Sequence, residues 1–180
     1  MVISPVVADR SAASHTRRSS PPSTDTRSAS APVDLARLRW FPSRRVDPSA
    51  TLPSLEGRTI LVVDDDADAL ELLRMILESC GARVQAASTA THARGYLLSS
   101  TPDLIVCDLA LPREDGLAFI RSVRASSNPA LARVPAVAVT AFYEDYPPTQ
   151  ALEFAAYFQK PIDIDALTRA IAALLPPRPE

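Results

Sequence analysis

Lysine, cysteine and aromatic side chains are scarce in this 180-residue chain, and each scarcity excludes something. Cys80 and Cys107 are too few and too far apart for a metal knuckle, and they read as buried small apolar residues. No apolar run approaches the ~18 residues of a membrane span, and Met1 to Arg10 holds no continuous hydrophobic stretch of the signal-peptide kind. No membrane insertion is expected, and the default location is the cytoplasm. Aromatics at 6% leave few rings to stack on exposed bases, and a formal charge of −2 argues against a surface that grips nucleic acid throughout. Of 19 basic residues, 18 are arginine and one is Lys160, a skew spread over the whole chain that first suggests compositional bias.

Proline, by contrast, is abundant, and it divides the chain. Residues 1–57 carry seven of the 17 prolines and eleven serines, with neither helical nor strand periodicity. Such a segment cannot bury enough apolar surface to offset its ordering entropy, so 1–57 is expected to be a disordered extension. It holds eight arginines and five acids, a balance of +3, which leaves 11 basic and 16 acidic residues, or −5, for the remainder. One stretch of this arm, Leu35 to Phe41 with Trp40, is apolar enough to dock on something; linker is the plainer reading.

From Arg58 the texture changes. The run Ile60 to Val63 is continuous rather than alternating, as in a strand covered on both faces. After Asp64, Asp65 and Asp66, apolar residues from Leu70 to Leu77 recur at helical spacing, and Gly81 stands where a helix stops. Further strands are expected at Arg83 to Ala87, at Leu104 to Cys107 ending on Asp108, at Val137 to Val139 ending on Thr140, and around Tyr157 and Phe158. Helices are expected at about 89–98, up to about Arg124, over a short stretch from Thr149 to Ala155 behind Pro147-Pro148, and from Ile164 to Leu175, capped by Asp163. Five strands alternating with five helices point to an α/β fold, a doubly wound five-stranded parallel sheet with helices on both faces. Residues 58–176 would form this domain, with 177–180 a tail.

In such a sheet ligands sit beyond the carboxyl ends of the strands. Those positions hold Asp64 and Asp65, then Asp108, Thr140 and Lys160. Singly, each has an ordinary explanation: acids favour the N-terminus of a following helix, a threonine belongs in a strand, and a lysine belongs on a surface. Together they gather three carboxylates, a hydroxyl and an ammonium on one edge. Two carboxylates about 5 Å apart repel by roughly 3 kcal/mol at an effective dielectric near 20. A hard divalent cation answers that repulsion, and Mg2+, which favours phosphate oxygens, fits best. An aspartate beside it can accept a phosphoryl group as an acyl phosphate, with Lys160 as a second positive contact.

These residues resemble the receiver domain of two-component response regulators. The resemblance rests on Ile60-Leu61-Val62-Val63-Asp64-Asp65-Asp66, on Val106-Cys107-Asp108-Leu109-Ala110-Leu111-Pro112 with Asp115-Gly116, on Val137-Ala138-Val139-Thr140-Ala141, and on Lys160-Pro161. It implies a flavodoxin-like fold with Asp108 as phosphoacceptor. It also implies Mg2+ held by Asp64, Asp65, Asp108 and the backbone carbonyl of Ala110, with Thr140 and Lys160 contacting the phosphoryl group. Tyr157 falls where the family keeps an aromatic switch that acts with Thr140. The stretch between Thr140 and Lys160 is about two residues short of the usual pattern. Only five residues follow Leu175, so the expected function is that of a single-domain response regulator, signalling through contact with a downstream protein. Its donor would be a sensor histidine kinase or a histidine phosphotransfer protein. It would not be an enzyme in the ordinary sense, catalysing only its own Mg-dependent phosphorylation and dephosphorylation. A phosphorelay intermediate derived from the receiver of a hybrid kinase, or an arginine-rich arm that binds an anionic partner or nucleic acid, are the alternatives. Nucleic acid is the less expected partner, because the arm's arginines are interrupted by acids.

Overall fold

A computed structural model of the chain describes the backbone of Arg39–Trp40 and residues 52–142, 144–146 and 153–175. In chain order the strands are β1 (Arg39–Trp40), β2 (Thr59–Val63), β3 (Arg83–Ala87), β4 (Leu104–Asp108), β5 (Ala136–Thr140) and β6 (Ala156–Gln159). The helices are α1 (Ala67–Ser79), α2 (Ala90–Ser99), α3 (Gly116–Arg124), α4 (Pro129–Ala132) and α5 (Ile164–Leu174). All strand pairs are parallel, in the order β1-β6-β5-β4-β2-β3. The order turns back on itself at β2, which lies between β3 and β4. A crevice at the carboxyl ends of β2 and β4 is thereby set by the topology.

The continuous apolar runs are explained by two cores. Leu61, Val63, Ile105, Cys107 and Ala138 face the side packed with α2 and α3, where Phe119, Ile120 and Val123 are buried. Their neighbours Ile60, Val62, Leu104, Val106 and Val139 face the side packed with α1 and α5, where Leu73, Leu77, Leu167 and Ile171 are buried. Period-two alternation sends each successive residue to the opposite core, so a strand buried on both faces must be apolar throughout.

Helix boundaries follow cap chemistry. The Asp66 carboxylate accepts from the Asp68 and Ala69 amides at the start of α1, Asp115 from Ala118 in α3, and Asp163 from Ala166 in α5. Gly81, at φ +92°, ends α1: its amide donates to the Glu78 carbonyl, and the Ala82 amide donates to that of Leu77.

Three expectations need correction. The domain begins before Arg58: Leu55 is buried against Leu73 and Leu77, and its amide donates to the Cys80 carbonyl. Most of the 1–57 extension lies outside the described residues, but Arg39–Trp40 within it forms a sixth strand on β6. The helix expected over Thr149 to Ala155 falls largely outside the described residues, and its last part, Glu153 to Ala155, is not helical. A helical turn absent from the sequence reading, α4, precedes β5; Pro129 at its first turn and Asn128 as its cap start it. The 177–180 tail also lies outside the described residues.

Candidate phosphorylation site

Hydrophobic strands end where their function begins. Asp64 follows β2 and is 1% exposed, Asp108 closes β4 at 6%, and Thr140 closes β5 fully buried. A buried carboxylate needs partners, and both have them. The Asp108 Oδ1 accepts from the Ala110 amide at 2.9 Å, and the Asp64 Oδ1 from the Asp66 amide at 3.1 Å. The Lys160 ammonium, delivered at the end of β6, donates to Asp108 Oδ2 at 2.7 Å and to Asp64 Oδ2 at 2.8 Å. The chain's single lysine thus bridges two buried carboxylates from different strands.

Burial raises the Asp64 carboxyl above its ordinary value, against the lowering effect of the Lys160 hydrogen bond. For Lys160, burial works against the charge, but the hydrogen bonds and charges of Asp108 and Asp64 outweigh it and lift the ammonium upward. The lysine stays protonated at neutral pH.

Asp65 is exposed, yet one oxygen each of Asp64, Asp65 and Asp108 lies within 4.8 Å of the others. Three carboxylates against one ammonium leave the crevice net negative, and every offered ligand is a hard oxygen. The donor set therefore suits a divalent cation of the magnesium type.

Thr140 is one residue beyond Val139, the register partner of Asp108. Its hydroxyl oxygen accepts from the Phe142 amide at 3.0 Å, and its carbonyl accepts from the Lys160 amide at 2.8 Å. Tyr157 is buried in β6, and its hydroxyl donates to the Tyr146 carbonyl. All the expected side chains except Tyr157 thus gather at the carboxyl edge; Tyr157 sits further down the strand, beneath the loop that carries Tyr146.

Two further residues support the site. A Cβ at Gly116 would stand 2.0 Å from the Asp108 carbonyl oxygen, so only glycine lets α3 start against the end of β4. The signal was present in the Asp115-Gly116 pair, in a chain with four glycines. The second is Arg94 on α2, which donates to both carboxylate oxygens of Glu114 and to the Ser122 hydroxyl at 3.0 Å, and lies over the Phe119 ring. It clamps the loop after Asp108, and a 20-residue separation leaves no local pattern that would announce it. Cys107, beside the site, is fully buried with its thiol pushed well above the ordinary range by that burial. Both cysteines are free and buried, as expected of apolar fillers.

A doubly wound parallel sheet with a lysine-bridged acidic crevice at its switch point is an arrangement suited to phosphoryl groups and hard cations at strand ends. The response regulator receiver domain family matches residues 60–172, and the chain belongs to that family. It is 38% identical over 122 residues to an uncharacterized 14.6 kDa protein of Leptolyngbya boryana, covering 67% of this chain and 92% of that one. To the transcriptional regulatory protein GltR of Pseudomonas aeruginosa it is 36% identical, covering 68% of this chain but half of that protein's length. The solved receiver domain of a CheY-like response regulator from Methylobacillus flagellatus superposes with a TM-score of 0.58 at 30% identity, covering 65% of this chain and 98% of that one. No helix among the described residues is long and apolar enough to cross a membrane.

Proposed function

We propose that the protein receives a phosphoryl group on Asp108 from the phosphohistidine of a sensor histidine kinase or a histidine phosphotransfer protein, and signals in the cytoplasm through contact with a downstream protein. The observation that carries this reading is the lysine bridge from Lys160 to Asp108 and Asp64 at the ends of two central strands. The Leptolyngbya relative is matched over 92% of its own length, so that protein is little more than a receiver.

An Asp108 carboxylate oxygen forms the new O–P bond as the N–P bond to the donor imidazole breaks. The electron pair stays on the imidazole nitrogen, which takes its proton from solvent. Asp64, Asp65, Asp108 and the Ala110 carbonyl would hold Mg2+, which when bound offsets the charge of the crevice and of the incoming group. Lys160 keeps its hydrogen bond to Asp64 and turns the one it gives Asp108 toward a phosphoryl oxygen. Thr140, whose hydroxyl oxygen accepts from Phe142, still has its own proton to donate to another oxygen. Drawing Thr140 and Lys160 to the new group moves β5 and β6 together, since the Lys160 amide is bonded to the Thr140 carbonyl. Tyr157 on β6 carries that change outward.

Incubating the protein with acetyl phosphate and Mg2+, then separating it on a phosphate-affinity gel, tests the reading. One shifted band is expected, absent from Asp108→Asn. A band that persists in Asp108→Asn overturns the assignment.

A further inference from the structure

β6 would be the outer strand of the sheet, with one row of backbone N–H and C=O groups open to pairing. It is not left open. Arg39–Trp40, more than 110 residues earlier in the chain, runs parallel to it as β1, with Arg39 opposite Ala156 and Trp40 opposite Tyr157. We infer that this segment is an intramolecular strand ligand, a strap whose seating on β6 is linked to the state of Asp108. The linkage half rests on the function proposed above; the seating does not.

Three observations carry it. The strand it covers bears Tyr157, and is joined to the crevice at its end, where Gln159 pairs with Thr140 and the Lys160 amide donates to the Thr140 carbonyl. An occupant of β6 therefore lies beside the part of the sheet that phosphorylation would move. The segment also has the composition of a ligand: Leu35, Leu38, Trp40 and Phe41 stand among Arg37 and Arg39 in an otherwise serine- and proline-rich arm. Finally, residues 1–57 carry +3 and the remainder −5, so the segment comes from a part of the chain opposite in charge to the rest. A two-residue ladder is small enough to open and close reversibly, as an element at the low-stability end of a fold. Because coupling is reciprocal, a state of β6 that alters strap seating is itself altered by the strap. The strap and any protein that adds a strand to β6 are mutually exclusive, so the strap competes with such partners for that edge.

Trp40 is the only tryptophan and lies in the strap itself, so emission from the full chain can be followed without a label. The variant R39P/W40P removes both backbone donors of β1 while touching nothing in the crevice. Hydrogen exchange should show the amides of Ala156–Gln159 that are not bonded to β5 exchanging at least tenfold faster in this variant, with β4 amides unchanged as proof of folding. Equal rates in wild type and variant overturn the seating. In wild type, adding acetyl phosphate and Mg2+ should shift the Trp40 emission in step with the phosphorylated band, and not in Asp108→Asn. A full phosphorylated band with unmoved emission overturns the linkage. If no phosphorylated band forms, the proposed function fails, and the exchange comparison still decides the seating.

Discussion

Gly116 and Lys160 show how little freedom the site leaves to single residues. A methyl group on Gly116 would collide with the Asp108 carbonyl at 2.0 Å and with the Cys107 sulfur at 2.9 Å, and the relief must come from backbone rather than a flexible side chain. Gly116→Ala should lower stability by about 3 kcal/mol, read as a lower urea midpoint. Lys160→Arg keeps the charge but exchanges a compact ammonium for a broad planar fork between two buried carboxylates. Phosphorylation of this variant should persist, while the accompanying change at Tyr157 should be lost. An unaltered response would return Lys160 to the compositional background. Ala110 and Phe142, two residues after Asp108 and Thr140, bear no group that can orient an attacking water, and Phe142 is 55% exposed beside the crevice. The acyl phosphate should accordingly be long-lived; a half-life of seconds in magnesium buffer would contradict this.

Elements are held together by arginines that local pattern does not announce. The Arg124 guanidinium, at the end of α3, donates to the carbonyls of Ala132, Val134 and Glu153. It therefore ties α3 to α4, to the start of β5 and to the segment entering β6, at a site buried enough to lower its pKa against the pull of Glu153. Arg124→Ala leaves those carbonyls without their donor and should cost about 2 to 3 kcal/mol in denaturant unfolding. On the other side, Arg94 holds the Glu114 carboxyl below its ordinary value. A lowered folded pKa contributes stability that is full above the unfolded value of 4.5 and is lost as pH falls through the folded one. The pair is partly exposed, so the expected effect is small: the stability difference between Arg94→Ala and wild type should narrow as pH falls below 4.5, leaving the part due to Ser122 and Phe119.

Over the whole molecule, charge is divided between arm and domain, and the near-neutral sum conceals it. The arm's arginines are diluted by acids, so DNA retention is expected to be negligible even at low salt. Retention that falls steeply with salt and disappears in a variant with the arm's arginines neutralised would reverse that expectation. The alternating elements and the two cores were legible because each follows from period and termination: continuous apolar runs, glycine and proline stops, aspartate caps. The site residues were legible because parallel strands must end on one edge.

By itself the sequence determined which residues reach that edge, since strand ends and helix caps are local events written in neighbouring side chains. Only the tertiary structure decided how they are used. Lys160 bridges Asp64 and Asp108 across 96 and 52 residues, Arg94 clamps Glu114 across 20, and Arg39–Trp40 closes the sheet beside Tyr157. Such contacts depend on burial and on register between distant segments. No periodicity encodes either, so the pairing of charges and the covering of the last strand emerge only when the chain is folded.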